Sequence, residues 1–292
     1  KAINLPSDHS VVHVIRQHFR VDGQDGVLNP EGMLGAKIEV DVHVVSGRYN
    51  RLQNPIRLVS GLHLEVDNIA FNGLASSLAL LSTEQKELGT LVIDLGAGTT
   101  EYAIYSAGVI KHTGVLAVGG DHVSNDLAYG LKVPLGRAEQ LKIDHGSAII
   151  DPEANNRSVD LSTDSVIPGK KINLGHLQMI MSMRLQETFE LIAKDIEQAG
   201  LIDYLRAGVV LCGGCARTPY ITRLARDVFN LPAAIGRSST VSGIKNALDE
   251  PEFATPVGLI KFGAFQSQTT PRREGFGRVI RKQFASLFGG KK

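Results

Sequence analysis

An α/β fold is the class this sequence predicts, and three stretches predict it. Leu91–Tyr105 opens with an apolar run of the kind a buried strand needs; after Asp94 and Leu95 it breaks at Gly96 and Gly98 and resumes as an alternating strand through Tyr105. Gly208–Leu211 is a second short apolar run, followed by Cys212-Gly213-Gly214-Cys215 and a helical pattern from Thr218 to Phe229. Between the two lies a long helical pattern, about Leu174 to Gln198, with Gly200 as its stop.

The chain before the first of these reads as a small α+β unit, residues 1–80. Val11–Ile15 is an apolar run with a polar continuation, and Asp22–Gly35 is a glycine-rich loop containing Asn29-Pro30. Ala36–Val45 alternates, with Ile38, Val40, Val42 and Val44 on one face and Lys37, Glu39, Asp41 and His43 on the other. A helix follows around Tyr49–Ser60, its start restricted by Pro55. Val66–Phe71 predicts a short strand and Leu74–Leu81 a helix of small residues.

After the hairpin comes the segment Lys111–Val118, and Gly119-Gly120 opens a helix over Val123–Leu131, with Asp121 placed to favour its dipole. Another helix spans Leu135–Lys142. Residues 146–171 are polar, with weak strands at Ala148–Ile150 and Ser158–Leu161. A small lobe, 146–200, therefore interrupts an α/β domain made of 81–145 and 201–264.

The chain has 292 residues, enough for a substantial core, and a formal charge of +1, which gives no global basic character for nucleic acid. From Pro271 to Lys292 there are seven Lys or Arg against one Glu, a local +6 that leaves the other 270 residues at −5. No apolar run is long enough to span a bilayer, no secretory signal is evident, and two cysteines fit a reducing compartment. The first residue is Lys1, so a fragment is one reading of the chain.

Chemistry concentrates at the two glycine turns. Gly96 and Gly98 allow backbone N–H groups to face an anion with no Cβ in the way. Thr99 and Thr100 add hydroxyl donors, and Asp94 is placed to hold Mg²⁺ through water. The plain alternative is a glycine-rich turn between two strands. Gly213 and Gly214, between a strand and a helix, make a second site of close backbone approach. Cys212-x-x-Cys215 has the spacing of a redox dithiol, but the glycines and the following helix already account for this stretch, and zinc would need two more ligands.

These two turns, in this order and separation, resemble the phosphate and adenosine motifs of the actin, Hsp70 and sugar-kinase superfamily, and within it the FtsA family of bacterial cell-division proteins. The likeness runs from the Val11–Ile15 strand to the C-terminal helix. It implies an actin-like ATPase fold in which residues 1–80 are the family's inserted α+β subdomain. It also implies a site for ATP and Mg between the Asp94 turn and Gly213-Gly214. The family's first phosphate loop, Asp-x-Gly-Thr/Ser, should precede this subdomain, and no residues before Lys1 supply it; the fold is thus expected to be incomplete at the N-terminus, with weak nucleotide affinity. By resemblance Arg184 and Glu187, three apart on one helix face, contact adenine and ribose; the alternative is a solvated charge pair. Asn72-Gly73-Leu74-Ala75-Ser76 matches the first connecting motif. Hydrolytic members carry an acid where Asn72 stands, and an amide cannot accept a proton, which predicts slow or absent hydrolysis. Ala254–Leu259 matches the second connecting motif, otherwise a helix start capped by Thr255 before Pro256.

The C-terminus carries a separate signal. Phe276, Val279, Ile280, Phe284, Leu287 and Phe288 form one apolar stripe, flanked by Arg278, Arg281 and Lys282. With a polar tether at 265–274, the segment 275–288 reads as an interfacial helix for anionic lipid; docking on its own domain or on a partner is the alternative. The resemblance implies further partners: the tail of the tubulin-like protein FtsZ on the lobe at 146–200, other copies of the chain in a filament, and other division proteins. It places the protein at the cytoplasmic face of the cell membrane, at the division site. A superfamily kinase or chaperone ATPase, and a pilus-assembly platform, are the alternatives.

Overall fold

The computed structural model describes residues 5–161, 169–238 and 248–269; the stripe from Phe276 to Phe288 and its flanking cations lie outside the described residues. The chain opens with β1 (His9–Val21), β2 (Gln24–Val27) and β3 (Ile38–Arg48), an antiparallel sheet in the order β2-β1-β3. β2 lies inside the stretch expected to be loop. Helix α1 (Tyr49–Gly61) forms where the sequence predicts it, with Pro55 inside it. None of its residues is buried, so solvent can satisfy the carbonyl that the proline leaves without a donor. The alternation of β3 is real, but its apolar face is open: Ile38, Val40 and Val42 are 60%, 44% and 45% exposed.

Val66–Phe71 forms no strand. The Phe71 N–H is taken by the His13 ring (3.0 Å) instead of a ladder partner. Helix α2 (Asn72–Leu80) follows, then α3 (Thr83–Leu88), opened by a capping box in which Ser82 and Gln85 satisfy each other's backbone N–H.

β4 (Thr90–Leu95), β5 (Thr100–Ser106) and β6 (Val109–Leu116) form an antiparallel meander. Helices α4 (Gly120–Leu131) and α5 (Leu135–His145) come next, then the hairpin β7 (Ser158–Leu161) with β8 (Lys170–Asn173). Ala148–Ile150 is not a strand, because the Ala148 N–H donates to the Pro219 carbonyl (2.9 Å). Helix α6 spans Leu174–Gln198, as its sequence period predicts. β9 (Val209–Cys212) runs parallel to β4. Gly214–Arg217 then makes a 3-10 turn, which delays α7 to Ile221–Phe229 rather than Thr218. β10 (Ala233–Ile235) pairs parallel with β9, and α8 (Ala254–Thr269) ends the described chain. Residues 265–269, read above as tether, are the end of α8. The resulting five-stranded mixed sheet has the order β10-β9-β4-β5-β6.

Alternation along β4 sorts this sheet into two cores. Leu91, Ile93 and Leu95 join a large cluster with Leu177, Met181, Leu185, Phe189, Ile192 and Ile196, the apolar stripe of α6, and with residues of α4, α5 and α7. Val92 joins a smaller cluster on the other face with Leu81, Cys212 and Ala254. The three-stranded sheet is tied to the body through polar contacts: the Gln17 amide donates to the Ile110 carbonyl (2.7 Å) and His43 bonds the Thr113 hydroxyl (2.9 Å). His13 also meets the Phe262 ring edge-on at 5.6 Å.

Candidate functional site

Parallel pairing of β4 and β9 sets Asp94 opposite Cys212, so both strands end at the same level and their glycine turns lie side by side. Gly213 adopts φ +83°, a left-handed conformation, and a Cβ there would stand 2.5 Å from Asp94 Oδ1 and from the Leu95 carbonyl oxygen. Glycine is therefore required at 213 on two counts. The α4 N-terminus closes on the first turn: Gly120 and Asp121 N–H donate to the carbonyls of Gly96 (3.0 Å) and Ala97 (2.8 Å). A Cβ on Gly120 would sit 2.6 Å from Cys215 Sγ.

A cavity of about 390 Å³ opens where these parts meet. Gly96 and Ala97 come from the first turn, Gly214 and Cys215 from the second, and Gly120 and Asp121 from the α4 start. Val123, Ile143, Met181, Leu185 and Pro219 give it an apolar wall, while Glu139 and Lys142 of α5, with Arg217 and Thr218, supply polar groups. An apolar slot of this volume with a few convergent polar groups suits a ligand of nucleoside size. Lys142 is held in place, its ammonium donating to Glu139 (2.6 Å) and to the Gly120 carbonyl (3.2 Å).

Arg184 and Glu187 do not line this cavity; α6 presents Met181 and Leu185 to it instead. Arg184 is engaged elsewhere, donating to Asp126 of α4 through Nε (2.5 Å) and Nη2 (3.1 Å) and to Glu187 through Nη1 (2.5 Å). Glu139 and Lys142 are the charged pair at the site, and the sequence reading passed over them. Both pairs have the same i,i+3 spacing, so spacing alone could not choose between them.

The two threonines also differ from expectation. Thr100 is fully buried and donates its hydroxyl to the Val118 carbonyl (2.8 Å), fixing the approach to α4. Thr99 donates to the Glu101 carboxylate (2.7 Å). Thr255 does not cap α8; its hydroxyl donates to Asp94 Oδ2 (2.6 Å), tying the helix to the first turn. Asp94 itself faces α2 and α8, and burial pushes its carboxyl above the ordinary range while the Thr255 bond pulls it back. Among the described residues no group of three or more His, Cys, Asp or Glu is arranged to hold a metal. A Mg²⁺ at Asp94 would draw its other ligands from water and phosphate, the usual way that ion is held.

The Cys212/Cys215 pair is split. Cys212 packs in the α2/α8 core and Cys215 faces the cavity; both are free thiols, and burial pushes both upward. A redox dithiol needs the opposite shift.

A family described as cell division protein FtsA matches residues 91–258, and a domain described as the SHS2 domain inserted in FtsA matches residues 1–46. Cell division protein FtsA of Borreliella burgdorferi is 36% identical over 285 residues, covering 97% of this chain and 68% of its own length. The Pseudomonas aeruginosa protein is 34% identical over 263 residues, covering 90% and 63%, and that of Escherichia coli K12 is 32% identical over 270, covering 90% and 64%. The chain thus spans about two thirds of the length of these relatives. MreB5 of Spiroplasma citri bound to ADP superposes with a TM-score of 0.60 at 20% identity, over 75% of this chain and 66% of the other. The PilM–PilN type IV pilus biogenesis complex gives 0.57 at 17%, over 86% and 66%. These likenesses establish an actin-like α/β fold.

Proposed function

The chain belongs to the FtsA family of bacterial cell-division proteins, and from that premise we propose that it is the nucleotide-binding body of an actin-like adaptor. ATP, with Mg²⁺, lies between the Asp94 turn and the Gly213-Gly214 turn. Asp94 holds the cation through water, and Gly96, Gly98, Gly213 and Gly214 bring backbone close to the phosphates. The nucleoside lies in the cavity beside Glu139 and Lys142, with Arg184 and Glu187 bracing the helices behind it. One observation carries this reading: Asp94 and Gly213, 119 residues apart in the chain, touch across parallel strands, and one cavity spans both turns. MreB5 of Spiroplasma citri, which shares the fold, has been solved with ADP and with AMPPNP.

The amide at Asn72 keeps hydrolysis slow, so nucleotide acts on assembly more than as fuel. Copies of the chain associate as an actin-like filament. The lobe at 146–200 takes the FtsZ tail, other division proteins join the assembly, and residues 275–288 hold it to anionic lipid at the cytoplasmic face of the membrane. Each cation near such a leaflet adds about 1 kcal/mol, and linking copies turns weak attachment into firm attachment. Family membership favours this role over a kinase or a pilus platform. Liposome flotation tests the tether: the chain should float with anionic vesicles and lose most of that binding without residues 275–292. Equal flotation of both forms would reject it.

A further inference from the structure

The three-stranded sheet meets the body through a face that is polar where most sheet faces are apolar. In the β1–β3 ladder His13 stands opposite Val45 and Ile15 opposite His43, which puts these four side chains on one side of the sheet. Ile15 packs against the smaller core, so this is the side turned to the body. One isoleucine is a thin apolar hold. Much of the attachment is left to the Gln17 bond and to the two histidines.

The histidines suit this task only when uncharged. His13 Nε2 accepts the Phe71 N–H (3.0 Å), so that nitrogen must offer its lone pair and the ring proton must sit on Nδ1. A second proton would turn the acceptor into a donor aimed at a donor, and the bond would be lost. The ring lies between the Phe71 backbone and the Phe262 ring of α8, and burial there holds His13 below the ordinary histidine value. His43 Nε2 lies 2.9 Å from the Thr113 hydroxyl of β6, a contact that a charged ring could keep. The charge itself is what this place resists: burial, then His112 beside Thr113, lowers the affinity of His43 for a proton. His112 is in turn held by the Asp195 carboxylate of α6 (2.6 Å), which also accepts from the Tyr102 hydroxyl (2.6 Å). Lys111 of β6, with Glu39 and Asp41 of β3, lines a separate polar pocket that neither His13 nor His43 enters.

We propose that His13 and His43 form an acid-sensitive latch: neutral, they seat the three-stranded sheet on the body, and proton uptake releases it while the body stays folded. Each ring binds a proton more tightly when the sheet is released than when it is seated. Seating is therefore at full strength above the free-histidine value, about 6.5, and weakens as pH falls below it. Two linked protons set a ceiling of about a hundredfold per pH unit.

Amide hydrogen exchange on the full chain, corrected for the intrinsic effect of pH, tests the latch. Protection of the Phe71 N–H should fall at least about tenfold between pH 7 and pH 5.5, while the amides of β4 keep theirs. The double variant His13→Gln with His43→Gln, whose amides accept and donate at every pH, should keep Phe71 protected over the same range. Each single variant should lose part of the dependence. Nitrogen-15 spectra of the wild-type histidines should show His13 with its proton on Nδ1 and a second proton taken up only below about pH 6.5. Melting curves identify any variant that does not fold, and the wild-type exchange series and spectra then decide. A flat Phe71 profile overturns the proposal, as does an equal loss in β4, an equal loss in the folded double variant, or protonation of His13 above pH 6.5.

Discussion

β3 and β4 are both regular strands in antiparallel ladders, yet they live in different surroundings. β4 is buried along its whole length, with α4, α6 and α7 on one face and α2 and α8 on the other. β3 has no fully buried residue, and its valine face is open. The three-stranded sheet buries little apolar surface of its own; among its strands only Val21 joins the buried hydrophobic residues. It keeps its place through a hydrogen bond donated by Gln17, one shared between His43 and Thr113, and one that His13 accepts from the connecting segment. The difference teaches where precision can be built. The two glycine turns are held by the sheet that is packed on both sides, and it is in that sheet that Asp94 and Glu101 face each other, at the turn end of the β4–β5 ladder.

Substitutions can sharpen this contrast. Ile93→Ala, within the large core, should cost about 2–5 kcal/mol in chemical denaturation, as buried large-to-small changes do. Val40→Ala on the open face should stay within about 0.5 kcal/mol. A cost at Val40 comparable to that at Ile93 would mean that the valine face is covered in solution and would erase the distinction.

The smallest effect concerns pH. Burial, then the neighbouring Asp94 charge, raises the Glu101 carboxyl above its ordinary value, against opposing bonds from Thr99 and Asn72. A raised folded-state value means that the folded protein holds this proton more tightly than the unfolded chain. The corresponding stability is fully present below the unfolded value, about 4.3, and is lost as pH rises through the folded value. Glu101→Gln should therefore melt above wild type at pH 7 in the absence of nucleotide, with the gap closing toward pH 4. A variant less stable at pH 7, or a gap that does not change with pH, would contradict this account of the pair.

Much of the body was legible in the sequence because its signals are continuous. The apolar run at 91–93, carried on by Asp94 and Leu95 to the break at Gly96, has the length and composition of a strand buried on both faces, and Leu177, Met181, Leu185, Phe189, Ile192 and Ile196 keep helical spacing along the whole of α6. The glycine turns were legible because Gly213 and Gly96 sit at sharp ends of apolar strands. Legibility failed where tertiary contacts decide. Val66–Phe71 has strand composition, but its backbone bonds to a histidine ring. Ala148–Ile150 is tied to Pro219 rather than to a strand. Glu139/Lys142 and Arg184/Glu187 look alike as helix pairs, and only the placement of α5 and α6 around the cavity separates them. The directions of the Thr99, Thr100 and Thr255 hydroxyls follow from what packs nearby, not from local pattern. The capping box at Ser82 and Gln85 was readable and simply preceded a helix too short to show a period.

The central claim is that the two glycine turns serve one ligand, and calorimetric titration of MgATP into wild type and Gly213→Ala tests it most directly. The substitution forces a residue into φ +83° and sets a Cβ 2.5 Å from Asp94 Oδ1, so the turns must separate. Wild type should bind one nucleotide, and the variant should lose at least about tenfold in affinity, some 1.4 kcal/mol. Equal affinities, or no binding by wild type, would contradict it.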